Sequence, residues 1–96
     1  MWEWNEGKSR SNRAKHGLAF ETARLVFSDP LAQTLADPTD CEVRWRTYGM
    51  ISGILILVVH TEPEFDGELC VKAGRIISAR KATRRERAAY ENSHYG

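Results

Sequence analysis

The strongest constraint on the fold of this chain is an uninterrupted apolar run from Ile54 to Val59. Its residues are isoleucine, leucine and valine, and such a run is typical of a central strand that is covered on both faces. The run is much shorter than the ~20 residues that a membrane-spanning helix needs. With 96 residues, the chain has room for one hydrophobic core. We therefore expect one domain over residues 1–96, built around this strand.

Further strands are predicted on both sides of the run. Residues 42–48 alternate, so that Arg44, Arg46 and Tyr48 share one face, and residues 75–80 alternate in the same way. In the second segment the alternation puts three residues on one face: Ile76, Ser78 and Arg80. Residues 33–36 are a weaker strand candidate.

Glycines and acidic residues indicate the connections between these strands. Residues 49–53 begin and end with glycine and predict a turn. Residues 61–74 are acidic and contain a proline and two glycines, which predicts a loop with an irregular hairpin around residues 68–72.

Two helices are predicted near the N-terminus. Asn5 can cap a helix over residues 6–16, and Gly17 then ends it. Apolar residues at positions 20, 23 and 27 form the stripe of a second helix, which Asp29 and Pro30 end.

A third helix is predicted at the C-terminus. Thr83 and Glu86 have the spacing of a capping box, in which each side chain accepts from the other residue's backbone N–H. Strands joined by short connections form antiparallel sheets. The order of elements therefore predicts the α+β class, with an antiparallel sheet and its helices on one face.

Charge is segregated along the chain, although the net charge is only +1. Residues 8–24 and 72–87 are mainly basic, and residues 29–42 and 62–68 are acidic. If the two basic segments meet in space, they form a surface that can bind phosphates. The alternative is two solvated helix faces, which is what charged runs commonly are.

Several kinds of protein are excluded by what the sequence contains. Residues 1–5 lack the basic start and apolar stretch of a signal peptide. Cys41, Cys70 and the three histidines lack the spacing of a metal site. These features predict a cytoplasmic protein with reduced cysteines and without a metal or other cofactor.

Several segments match the pattern of one known family. They are Trp4-Asn5-x-x-Lys8, Asn12-x-x-Lys15-His16-Gly17, Phe20-x-x-Ala23-x-x-x-Phe27-x-Asp29-Pro30, Glu42-x-Arg44, Gly49, Leu57-Val58-Val59-His60-Thr61 and Arg75-Ile76-Ile77-Ser78-Ala79-Arg80-Lys81-Ala82-Thr83-x-x-Glu86-Arg87-x-x-Tyr90. Together these segments cover nearly the whole chain and resemble the BrnT family, toxins of type II toxin–antitoxin systems with a RelE-like fold.

The resemblance implies a function and partners. It implies a toxin that cleaves RNA and arrests translation, bound by a BrnA-like antitoxin that carries the operator-DNA-binding domain. It also suggests two toxins per complex, that is, a toxin dimer within a heterotetramer.

Arginine is the residue type best suited to the phosphate chemistry of RNA cleavage. Its planar guanidinium stays charged and can pair with two phosphate oxygens. Arg44 and Arg80 are our first catalytic candidates because each lies on a predicted strand. The alternative for Arg44 is a pair with Glu42 or another acid, and for Arg80 it is a plain surface charge.

His16 and Tyr90 are the candidates for proton transfer. Imidazole titrates near neutral pH, but a histidine at a helix C-terminus can also simply cap the helix. Tyr90 could donate a proton or stack on a base, and packing onto the sheet is an equal alternative. The basic segments supply the candidates for RNA and phosphate binding: Lys8, Lys15, Arg75 and Lys81.

Two other functions compete with an RNA-cleaving enzyme. One is a non-catalytic module that binds a partner or acts as a co-repressor in a toxin–antitoxin operon. The other is a structural domain whose charged faces are merely solvated. Phosphate contacts weaken as salt rises, so a salt-dependent affinity for RNA separates the enzyme from the structural domain.

Overall fold

A computed structural model describes residues 1–38 and 43–95, with side chains up to residue 93. The predicted roles of Cys41 and Glu42 therefore fall outside the described residues. The strands are β1 (Trp2–Glu3), β2 (Gln33–Asp37), β3 (Arg44–Ile51), β4 (Ile54–His60), β5 (Glu64–Asp66), β6 (Leu69–Lys72) and β7 (Gly74–Lys81). The helices are α1 (Glu6–His16), α2 (Phe20–Ala23), which continues as a 3₁₀-helix (Arg24–Ser28), and α3 (Arg84–Tyr95).

The apolar run forms the centre of the sheet, as predicted. Five strands pair in the order β1-β7-β4-β3-β2, so β4 is the middle strand. β1 runs parallel to β7, and the other pairs are antiparallel. β5 and β6 form a separate hairpin, which confirms the hairpin predicted in the acidic loop. The α+β class is confirmed.

The prediction that all helices lie on one face of the sheet is wrong. One face, here called the α1 face, buries Ile56, Val58 and Ile76 against Phe20 and Ala23 of α2. The opposite face, called the α3 face, packs sheet residues against Tyr90 of α3; they are Tyr48, Leu55 and Leu57. The reason lies in β4 itself, because neighbouring residues of a strand point to opposite faces and both sets here are apolar.

The turn predicted over residues 49–53 is shorter in the structure. β3 continues through Gly49 to Ile51, and the turn consists of Ser52 and Gly53 with φ of 49° and 79°. Two central residues with positive φ are what a two-residue hairpin turn of type I′ requires. Gly49 lies within β3, where the strand passes close to the 3₁₀-helix. A Cβ at this position would lie 2.8 Å from the Val26 carbonyl oxygen, so only glycine fits without a shift of the backbone.

The predicted alternation in β7 is also wrong at one point. The pairing with β4 shifts register beside His60, so that Ile76 and Ala79 both point into the core of the α1 face. Such a bulge places one extra residue in the strand and reverses the alternation beyond it. Arg80 and Ser78 consequently lie on the α3 face, away from Ile76.

The predicted ends of α1 are confirmed. The Asn5 side chain accepts a hydrogen bond from the Lys8 backbone N–H at 3.0 Å, and Gly17 ends the helix with φ of 72°. The second helix is shorter than its apolar stripe suggests, because the chain tightens into the 3₁₀-helix after Ala23. Within the described ranges, no helix combines the length and apolar composition that crossing a bilayer requires.

Asn12 joins α1 to the sheet. β1 covers only the first residues of β7, and the Asn12 amide takes the place of a neighbouring strand further along. Its Nδ2 donates to the Ala79 carbonyl at 2.8 Å and to the Leu18 carbonyl at 2.7 Å, and its Oδ1 accepts from the Ala79 N–H at 3.3 Å. The backbone groups at a buried stretch of strand edge that has no neighbouring strand are thereby satisfied by a side chain.

We predict that Asn12→Ala destabilises the protein by about 1–3 kcal/mol, because it leaves both backbone groups of Ala79 buried without their partner. Urea unfolding measures this loss. The control is Ser11→Ala, an exposed position on the same helix, where we expect no measurable change. Equal stability of the two variants would contradict this role of Asn12.

Candidate functional site

Basic side chains collect on the part of the α3 face that α3 leaves open. Arg80 on β7 and Tyr48 on β3 lie on either side of Leu57 in register across the sheet. In the next row Arg46 lies beside Val59, and Arg44 lies two residues further along β3. The side chains of Arg46 and Arg80 are each 38% exposed, so both can reach a ligand.

The carboxylate of Glu86 connects the side chains of Arg80 and Tyr48. We call these three residues and Arg46 the arginine group. It accepts from Arg80 Nη1 at 2.7 Å and Nη2 at 3.1 Å, from the Tyr48 hydroxyl at 2.8 Å and from the Thr83 N–H at 2.8 Å. Thr83 in turn accepts from the Glu86 N–H, so the predicted capping box is confirmed. The hydrogen bond from Arg80 is the main cause that lowers the pKa of Glu86 from 4.5 to about 2.

Arg80 keeps hydrogen-bonding capacity for a ligand. A guanidinium has five N–H donors, and two of those in Arg80 bond to Glu86 while a third bonds to the Lys81 carbonyl at 3.1 Å. Within the described residues, the Nε–H and one Nη2–H are left. These two donors point the same way, which is the geometry that pairs with two oxygens of one phosphate.

Arg46 and Tyr48 complete the group on β3. Arg46 Nε donates to Asp37 Oδ1 at 2.6 Å, and this hydrogen bond raises the pKa of Arg46. Burial, followed by the hydrogen bond to Glu86, raises the pKa of Tyr48 above its usual 10.0. Tyr48 therefore stays a protonated donor at neutral pH.

Besides Arg80, two of the predicted catalytic residues lie on this face. Arg44 is half-buried on β3, where it pairs in register with Asp37 of β2. Its alternative partner Glu42 is outside the described residues. Tyr90 is buried under α3, and its hydroxyl donates to the Leu31 carbonyl at 3.3 Å.

The other predicted site residues lie elsewhere. His16 lines a pocket of about 390 Å³ together with Lys81 and with Ile56, a residue of the α1 face. Lys8 and Lys15 are exposed on α1. Arg75 is exposed on β7, where it pairs in register with Glu3 of β1. The sheet thus separates His16 from Arg44 and Arg80.

Three residues of the group were not predicted as site residues: Arg46, Tyr48 and Glu86. A signal for the first two exists, because they follow Arg44 at steps of two in a predicted strand and therefore share its face. Glu86 was assigned to the capping box, and its contact with β3 is visible only in the folded chain. Among the described residues, no group of three or more His, Cys, Asp or Glu side chains could hold a metal ion.

We predict that Glu86→Gln lowers the free energy of unfolding at pH 7 by about 1.5–3 kcal/mol, because hydrogen bonds to a charged group are lost. The folded pKa is lowered, so the stabilisation by Glu86 is present above about pH 4.5 and is lost as the pH falls toward 2. Urea unfolding at pH 7, 5 and 3 should show this acid dependence weakened in the variant.

The control for this variant is Glu91→Gln. Glu91 forms an exposed pair with Arg87 on the same helix, at 3.0 Å, and such pairs contribute at most about 1 kcal/mol. If Glu86→Gln and Glu91→Gln had the same effect at each pH, Glu86 would not join α3 to the sheet as described.

Comparison with known proteins identifies the family of this chain. No curated protein matches the chain. A family model described as the ribonuclease toxin BrnT of a type II toxin–antitoxin system matches residues 4–86, which include Arg44, Arg80 and Glu86. Toxins of this type act on RNA and have an antitoxin protein as partner. The match covers most of the chain and confirms the resemblance found in the sequence, and the chain belongs to the BrnT family of ribonuclease toxins.

Proposed function

We propose that this chain is a metal-independent endoribonuclease toxin that cleaves RNA on the open part of the α3 face. The observation that carries the proposal is the orientation of Arg80. Glu86 holds one side of its guanidinium, and the Nε–H and Nη2–H on the other side are available to a phosphate. Arg44 and Arg46 add positive charge on the same face.

Arginine fits the demands of this reaction. In metal-free RNA cleavage the 2′-oxygen attacks the phosphorus, the 5′-oxygen leaves, and negative charge builds up on the phosphate oxygens. Donors that are already oriented stabilise this charge without reorganising during the reaction. Arg80 is the proposed catalytic residue, and Glu86 and Tyr48 are positioning residues because they act through it.

Neither Tyr48 nor Glu86 is assigned to proton transfer. Tyr48 is bound to Glu86, and the lowered pKa of Glu86 makes it a weak base. His16 was the sequence-based candidate, but it lines a pocket with residues of the α1 face. The proposal therefore rests on binding and charge stabilisation by arginine, with no assigned role for His16.

The partner and the cellular effect follow from the family. We propose that a BrnA-like antitoxin neutralises the toxin by covering the open arginines, and that the free toxin inhibits translation in the cytoplasm. The antitoxin would contact operator DNA, and two toxins would share one heterotetramer. The sheet with helices on both faces is compatible with a RelE-like fold, which is also part of the proposal.

A non-catalytic co-repressor is the second candidate. The β5–β6 hairpin supports it, because Phe65, Leu69 and Val71 are at least half exposed, and exposed apolar groups mark interaction surfaces. An antitoxin is expected under both functions. The RNA cleavage assay below distinguishes them, since a co-repressor leaves RNA intact.

We predict that Arg80→Ala lowers the rate of RNA cleavage by about 100- to 1,000-fold, the typical loss when one oriented donor is removed from a reaction centre. Arg80→Lys should recover little of the rate, because lysine keeps the charge but lacks the two parallel donors. Cleavage of a labelled RNA by the purified, antitoxin-free protein measures both.

Arg87→Ala is the matched control for the loss of one positive charge, since Arg87 is exposed on α3 and pairs with Glu91. It should cleave at nearly the wild-type rate. A wild-type protein that leaves RNA intact would favour the co-repressor. A wild-type rate in Arg80→Ala would show that cleavage occurs at a different place on the molecule.

A further inference from the structure

A second pocket lies on the α1 face, at the end of β4. Its volume is about 460 Å³, within the range of small-molecule sites. Its lining includes an arginine, a carboxylate, a histidine, a threonine and an aromatic side chain from the hairpin: Arg24, Glu62, His60, Thr34 and Phe65. None of these residues belongs to the arginine group on the α3 face.

Aromatic rings make up much of the pocket wall. Trp2 and Phe27 stack with their centroids 3.7 Å apart and their planes 7° from parallel. His60 meets both rings edge-on, at 5.0 and 4.9 Å. Phe65 on β5 is 50% exposed, so its ring can stack on a planar ligand. An exposed aromatic ring in the lining favours a ligand with a flat aromatic group.

The hydrogen bonds of His60 determine which donors and acceptors the pocket offers to such a group. His60 Nδ1 lies 2.9 Å from the Thr61 carbonyl, which can only accept, so Nδ1 carries the proton. Burial lowers the pKa of His60, and its Nε2 is an acceptor at neutral pH. Thr47 must therefore donate to Nε2, at 2.6 Å.

The same reasoning extends to the pocket surface. Thr47 Oγ1 and Thr34 Oγ1 are 2.9 Å apart, and either could be the donor from distance alone. Because the Thr47 proton is already used on His60, Thr34 donates to Thr47. The Thr34 oxygen is left with acceptor capacity toward the pocket, and the half-exposed carboxylate of Glu62 is an acceptor as well.

We propose that this pocket binds a nucleotide whose base carries an exocyclic amino group, with the base beside Phe65, its amino group donating to Thr34, and its phosphate near Arg24. Cytosine, adenine and guanine carry such a group, and uracil does not. The inference rests on the proposed function in taking RNA as one source of the nucleotide; a free mononucleotide is the other source, with the same chemistry.

Calorimetric titration of the full-length, antitoxin-free protein with CMP and with UMP tests the inference. These two pyrimidine nucleotides differ at C4, where cytosine has an amino group and uracil has an oxygen, and at N3, which is an acceptor in cytosine and carries a proton in uracil. We expect CMP to bind about tenfold more tightly than UMP, the effect of one hydrogen bond. Thr34→Val should remove most of this preference. Phe65→Ala should weaken both ligands severalfold or more, because base stacking is lost.

Two variants serve as matched controls. Leu69→Ala removes an exposed apolar side chain from the same hairpin, and Thr22→Val removes a hydroxyl group outside this pocket. Both should bind CMP as the wild type does. Equal affinities for CMP and UMP, or no binding of either at millimolar concentration, would overturn the inference.

The outcome is independent of the test of the proposed function. A wild-type protein that does not cleave RNA overturns the proposed function, while the titration still decides on the pocket. If the wild-type protein does cleave RNA, the cleavage assay also identifies the source of the nucleotide. If Thr34→Val changes the preference for C over U at a position of the RNA away from the cleaved bond, the pocket holds a base of the substrate. If it changes CMP binding alone, the pocket holds a free nucleotide, and the site is supported in either case.

Discussion

The central strand β4 is buried on both faces of the sheet. Neighbouring residues of a strand point to opposite faces, and yet four consecutive residues of β4 are each at most 4% exposed: Leu55, Ile56, Leu57 and Val58. This burial on both sides of β4 requires a layer on each face. The two N-terminal helical segments cover the α1 face, and α3 covers the α3 face in part. The part that α3 leaves open is where Arg44, Arg46 and Arg80 are partly exposed to solvent, so the packing of the central strand determines where a basic site can form.

Glu86 connects this packing to the site. Its backbone and carboxylate complete the capping box with Thr83 at the start of α3, and the same carboxylate binds Arg80 and Tyr48 on the sheet. The position of the helix and the orientation of Arg80 therefore depend on one side chain. An arginine held on one side by a carboxylate loses little side-chain entropy when it binds a phosphate on its other side.

Much of the fold could be predicted because its causes are local. Asn5 and Gly17 delimit α1 through their own backbone and side-chain chemistry, and the apolar run from Ile54 to Val59 identifies the central strand. The errors came where distant segments meet. Gly49 was interpreted as part of a turn, whereas it allows β3 to approach the backbone at Val26. The bulge in β7 arises from its pairing with β4, and no local pattern in residues 75–80 indicates it.

The candidate site shows the same division. By itself, the sequence determined that arginines lie on strands and that Arg44, Arg46 and Tyr48 share a face, because alternation follows from strand geometry. It also carried the motifs of the family. The tertiary structure alone decided that Glu86 binds Arg80 across α3 and β7, that His16 lies apart from the arginines, and that His60 directs the Thr47 and Thr34 hydroxyl groups. These contacts join residues far apart in the chain, and their geometry depends on how the helices pack on the two faces of the sheet.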